Sequence, residues 1–154
     1  MYFWNIDKLK KDLIQKPLSE KEQFKYLLAM AIFGGFGMIP FIEINMWDVY
    51  SALVAGITTI IGTYYLYKLN GGPNGKYILQ RLLSLGWVMF IRWIVLIMFP
   101  VMLLLFFGLE IFSTGVPDET SVYDFVGSNL TYIIYFWLLG KHIKEVSTKC
   151  ENGQ

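Results

Sequence analysis

Apolar residues return along this chain in two rhythms. In the opening segment, MYFWNIDKLKKDLIQK, they recur at helical spacing as Tyr2, Ile6, Leu9 and Leu13, with Phe3 and Ile14 beside them. Lys8, Lys10, Lys11 and Asp12 take the opposite face. An apolar stripe backed by lysines predicts an amphipathic helix over residues 1–18 lying in a headgroup plane. Lys8, Lys10 and Lys11 are then the membrane-surface residues, each adding about 1 kcal/mol next to an anionic leaflet. The competing reading beds the same face on protein. Pro17 stops the helix, and Ser19 with Glu22 three residues on forms a capping box that starts the next one.

From Tyr26 onward the rhythm changes to long uncharged runs. They cover about residues 26–42, 49–67, 82–109 and 122–139, and about 20 apolar residues suffice to cross a bilayer. The third run is long enough to tilt or to bend at Pro100. NGGPNG at Asn70–Gly75 reads as a turn, with further breaks around Asn45–Trp47 and Gly115–Asp124. The charged leader before the first run is long and no small-residue cleavage motif follows Ile42, so that run is expected to be retained. The predicted fold is an all-α integral membrane protein. Four transmembrane helices form a compact bundle over residues 19–145, preceded by the interfacial helix and followed by a cytoplasmic tail at 146–154.

Charge supplies the threading. Twelve of the thirteen basic residues lie before the first run, between the second and third, or after the fourth. The other two loops carry only acids: Glu43 and Asp48, then Glu110, Asp118, Glu119 and Asp124. The positive-inside rule therefore predicts both termini in the cytoplasm of a cell whose inner membrane the chain crosses several times. Composition agrees, with 55% hydrophobic and only 16% charged residues against about a quarter charged in soluble domains. A net charge of +1 removes the basic-surface argument for nucleic acid. The lone Cys150 reads as an exposed tail thiol.

The thirteenth basic residue is Arg92, inside GWVMFIRWIVLIMFP. It lies about 15 Å of helix beyond Leu82, near a bilayer midplane. Thr58 and Thr59 of the second run and Asn129, Thr131 and Tyr132 of the fourth reach a similar depth. These six predict a polar layer inside the bundle. No acid lies at that level, so Arg92 must turn to backbone carbonyls, hydroxyl and amide oxygens, water, or an acid from another molecule. An intramembrane arginine costs about 3 kcal/mol on insertion scales and is a functional candidate by default; the alternative is a structural residue that snorkels. Arg81 lies three turns earlier on the same face. Small residues at four-residue spacing, Ser51, Ala55, Thr59 and Thr63, together with Gly34, Gly35 and Gly37, predict a close hairpin between the first two spans.

Catalytic patterns are sparse. GGPNGKY is one residue short of a phosphate loop and has Tyr77 where a hydroxyl ligand for magnesium is needed. His142 has no neighbouring nucleophile, and no paired acids or metal-ligand spacings occur within the spans. The expectation is a protein without enzymatic activity, cofactor or metal. It would act through intramembrane association with a partner, in an accessory, immunity-type or defence-effector role, or through self-association. The alternative is an oligomeric ion channel or small transporter with Arg92 in an anion or water path.

Overall fold

Asn5 starts the first helix, its side-chain oxygen accepting the Lys8 N–H at 2.9 Å. Helix α1 runs Ile6–Gln15 and stops where Lys16 turns extended ahead of Pro17. Ser19 and Glu22 close the predicted box, with Ser19 N–H on Glu22 Oε2 at 3.1 Å and Glu22 N–H on Ser19 Oγ at 3.4 Å. That box opens α2, Glu20–Phe36. A second box, between Asn45 and Asp48, opens α3, Met46–Leu69. The computed structural model describes residues 1–36, 45–100, 103 and 122–151. Gly37, the end of the first predicted span, most of the third beyond Pro100, and the acidic residues Glu43, Glu110, Asp118 and Glu119 lie outside the described residues.

The NGGPNG segment turns the chain tightly. Gly71 and Gly72 take left-handed conformations, φ 101° and 56°, that side chains resist. A single 3₁₀ turn, Gly72–Asn74, then leads into Gly75, where a Cβ would collide with the Asn70 carbonyl. Tyr77, also left-handed at φ 58°, delivers the chain into α4, Ile78–Trp93. The helix continues as a π-helical stretch, Ile94–Met98. Pro100 explains the loosening, because it offers no N–H to Leu96 and its ring crowds that carbonyl. The last helix, α5, spans Val122–Glu151. Residues 146–151, expected as a tail, belong to it, with Val146 and Ser147 buried.

Among the described residues the chain is helical, without a strand. The longest contact pairs α3 with α5, and the two run in the same direction. Trp47 meets Phe125 with ring centroids 5.6 Å apart, Gly62 meets Phe136, and Ser147 Oγ donates to the Asn70 carbonyl at 3.0 Å. Helix α4 runs opposite to both, placing Arg81 beside Asn70 and the Gly86 carbonyl under the Tyr135 hydroxyl at 3.0 Å. Helix α2 lies along α4 in the same direction, with Gln23 near Gln80 and Met30 near Gly86.

The helices divide lengthwise into a closed end and an open end. At the closed end α1 rests on α4 and α5, burying Ile6, Leu9 and Leu13 against a core that includes Leu66, Leu85, Val88, Ile143 and Val146. The apolar face of α1 is thus spent on the protein itself and not on headgroups, because the predicted stripe finds a matching apolar surface within the chain. Cys150 belongs to this packing as well: it is half-buried, its Sγ 3.7 Å from the Leu13 carbonyl, and not an exposed tail thiol. The open end shows the reverse, with Leu53, Ile57, Ile60 and Ile61 of α3 and Tyr123, Leu130 and Ile133 of α5 all exposed. Among the described residues two helical stretches are long and apolar enough to cross a membrane, Met46–Leu69 and Ile78–Ile97. Only 11% of the most apolar part of the first is buried within the chain, against 44% for the second.

Candidate functional site

Arg92 leaves the level at which its Cα sits. Side chains on a helix lean toward its N-terminus, and on α4 that direction leads toward the closed end. The Arg92 Nε–H donates to the Trp4 carbonyl at 2.9 Å, and its guanidinium carbon lies 5.7 Å from the centre of the Trp4 ring. Phe3 meets Trp87 edge-on, with centroids 6.1 Å apart, so the residues before α1 are laid along α4. Of the partners open to Arg92 on the sequence, a backbone carbonyl is the one it takes. Trp4 supplies both that carbonyl and an aromatic face, and nothing in residue spacing links position 4 to position 92.

Of the five other members of the predicted layer, Thr58, Thr59, Asn129, Thr131 and Tyr132, two bond within their own helices. Thr59 Oγ1 donates to the Ala55 carbonyl at 2.8 Å, and Asn129 Nδ2 to the Phe125 carbonyl at 2.8 Å, each within its own helix. Tyr132 packs its ring edge-on to Phe136. Thr58 is half-buried in α3. None of these five bonds to Arg92.

Three of them nonetheless meet elsewhere. A groove of about 440 Å³ between the helices is lined by Thr59, Thr63, Thr131 and Tyr132, with Phe90 and Phe136 among its apolar walls. Its α3 wall continues outward along Thr59, Thr63 and Tyr67 to Leu79 and Leu82 of α4. The predicted packing stripe is therefore divided. Ser51 and Ala55 are half-buried, while Thr59 and Thr63 stay exposed on the groove. The close approach of α3 falls instead on Gly62 and, across from it, Gly140. A Cβ at Gly62 would stand 2.5 Å from the Phe136 ring, and one at Gly140 2.7 Å from Tyr65. Gly34 and Gly35 lie in α2, whose contact is with α4, so among the described residues α3 pairs with α5 where the sequence suggested α2. Gly140, just past the last apolar run, was the signal passed over.

Around α1 the lysines part company. Lys8 and Lys11 are exposed, with Lys8 5.9 Å from the centre of the Tyr2 ring. Lys10 is half-buried and binds Glu145 at 2.7 Å and Asp7 at 3.1 Å. Burial opposes its charge, but the bonds to Glu145 and Asp7 outweigh that and raise its pKa. The same bond from Lys10 holds the Glu145 carboxyl below its ordinary value. His142 sits nearby with a buried, unpartnered Nδ1. Burial, and then the charge of Lys10, push its pKa below the ordinary 6.5.

Among the described residues no three His, Cys, Asp or Glu side chains come together as a metal site. Comparison with protein-family models, curated proteins and solved structures finds no match to this chain.

Proposed function

We propose that this chain is a multi-pass inner-membrane protein whose four long helices cross the bilayer with both termini in the cytoplasm. It acts without catalysis, by holding a helix of another membrane protein against the groove beside α3. The exposed apolar open end supports immersion in lipid, since soluble proteins rarely leave so continuous an apolar surface. The relative directions of α2 to α5 are those that the lysine asymmetry requires.

The groove carries the association reading. Thr59 and Thr63, one helical turn apart, are small and exposed on its wall, and small hydroxyl residues at that spacing let helices approach closely and exchange hydrogen bonds in hydrocarbon. A lipid tail would need no hydroxyls there. The channel reading needs Arg92 to face a water or anion path, whereas among the described residues its Nε–H is engaged by the Trp4 carbonyl, which favours the association reading.

A photoreactive side chain at position 63, in the full chain in its native membrane, should form a discrete protein adduct. The same group at position 123, where Tyr123 is 85% exposed, should give only lipid adducts. Thr59→Trp, which fills the groove, should abolish the protein adduct while the melting temperature in detergent holds. Lipid adducts alone at position 63 would sink the reading, and an adduct of twice the chain's own mass would replace the foreign partner with a second copy.

A further inference from the structure

The closed end contains a second cavity that the groove does not involve. It measures about 420 Å³ and lies where the end of α1, the NGGPNG turn, the start of α4 and the last turns of α5 meet. Its size falls within the range of small-molecule sites, about 300–1,000 Å³. Lys16, Lys76 and Arg81 stand in its wall with Asn74, Tyr77 and Ser147, and no Asp or Glu lines it among the described residues.

Arg81 is the anomaly. It is only 3% exposed, yet the one acceptor its side chain meets among the described residues is neutral: Nη1 donates to Asn70 Oδ1 at 2.7 Å. Its Nε–H is buried with no acceptor at all. None of the ion pairs among the described residues involves it. A guanidinium stays charged at any physiological pH, and a buried charge without a counter-charge is strongly unfavourable. The amide that meets Arg81 is itself held in place, since Asn70 Nδ2 donates to the Lys76 carbonyl at 3.2 Å and its main-chain carbonyl accepts from Ser147. The cation is therefore fixed in position and electrically incomplete.

The surroundings supply the rest of an anion site. Lys16 and Lys76 are exposed and free to swing over the opening. Tyr77, at the start of α4, stands in the same wall with no side-chain cap on the helix, so the positive end of the helix dipole lies beside the pocket. A contrasting cleft on α1 shows what a screened surface looks like: there Lys8 and Lys11 stand among Asp7 and Asp12.

We propose that this pocket binds a phosphate group, with Arg81 as the fixed counter-charge and Lys16 and Lys76 closing from the rim. Phosphate fits because its several oxygens can engage guanidinium and ammonium donors at once. The group is either free in solution or carried on a lipid headgroup. The site does not rest on the partner groove and stands or falls separately from it.

The full chain in detergent, and in nanodiscs of phosphatidylcholine or phosphatidylglycerol, is tested by thermal unfolding with and without inorganic phosphate. Binding to the folded state raises the melting temperature with ligand concentration. Protection by inorganic phosphate in detergent identifies a soluble source. Protection only in phosphatidylglycerol identifies the headgroup. In either case Lys16→Ser with Lys76→Ser should weaken the response about tenfold, as expected for losing charge-assisted hydrogen bonds. Lys8→Ser with Lys11→Ser should leave it intact. The rim and control substitutions fall on exposed side chains, so folding is not at stake. No protection in any arm, or equal losses from the two lysine pairs, overturns the proposal.

Discussion

The two ends of this molecule are made from the same helices and solve different problems. At the closed end Leu66, Leu85, Val88, Ile143 and Val146 are sealed by each other and by α1. Polar groups there are knitted across elements: Asn70 to Arg81, Ser147 to Asn70, Lys10 to Glu145. At the open end Ile60 is 73% exposed, and the polar groups of Thr59 and Asn129 bond within their own helices. That local pairing is what a hydrocarbon surrounding demands, because no water is there to serve a free hydroxyl or amide. The closed end is held by the chain itself, and the open end requires a surrounding to complete it.

The sharpest test of that division is a matched pair of truncations. Leu66→Ala at the closed end should cost about 2–5 kcal/mol, the range for emptying a packed site. Ile60→Ala, six residues earlier on the same helix, should stay within about 0.5 kcal/mol, both read by reversible denaturation in detergent. Equal losses would erase the distinction. A smaller contrast comes from the glycines. Gly140→Val drives a side chain into Tyr65 and Leu69 and should cost about 1–3 kcal/mol through overpacking. Gly56→Val meets open space and should be nearly neutral in the same assay.

The smallest effect concerns how α1 is tied down. Glu145 has its pKa lowered below the ordinary 4.5 by the bond from Lys10. The unfolded chain therefore takes up that proton first as pH falls. The contribution is complete above pH 4.5 and is lost as pH drops through the lowered folded value. Partial exposure limits it to about 1 kcal/mol. Glu145→Gln should flatten the acidic limb of the stability profile by that amount. His142 adds a second slope of the same sign. Its folded pKa lies below 6.5 because of burial, Lys10 and Arg92, with Glu145 and Asp7 opposing. Stability should decline as pH falls below 6.5, and His142→Gln should remove that decline.

Much of the local architecture was legible because it depends on neighbours in sequence. The Ser19–Glu22 box, the stop at Pro17, the turn at Asn70–Gly75 and the buried stripe Ile6, Leu9 and Leu13 all follow from residue type and spacing. What lay hidden was which surfaces meet. The lysine-backed apolar face of α1 favoured a lipid surface, and only the complementary faces of α4 and α5 turned it to protein. Ser51, Ala55, Thr59 and Thr63 carried a packing signal, but Gly62 meets Phe136 and Gly140 meets Tyr65, and pairings so far apart in the chain leave no local trace. Arg92 was placed by its Cα, and a side chain this long sends its charge about a helical turn away, to a carbonyl at position 4. The incomplete charge of Arg81 was invisible for the same reason, since its burial depends on four elements converging.

The parallel pairing of α3 with α5 bears on how the protein is made. Ser147 reaches back 77 residues to close on Asn70. A ribosome adding about 5–20 residues per second spends about four to fifteen seconds between the two. Throughout that interval α3 exists without the helix that covers it, and α4 arrives first, running the other way. The nascent chain therefore leaves the Gly62 face uncovered by its own partner until the last helix emerges. A stop codon anywhere before Phe136 leaves Gly62 without the ring that covers it, so premature termination late in the chain should be as damaging as termination early.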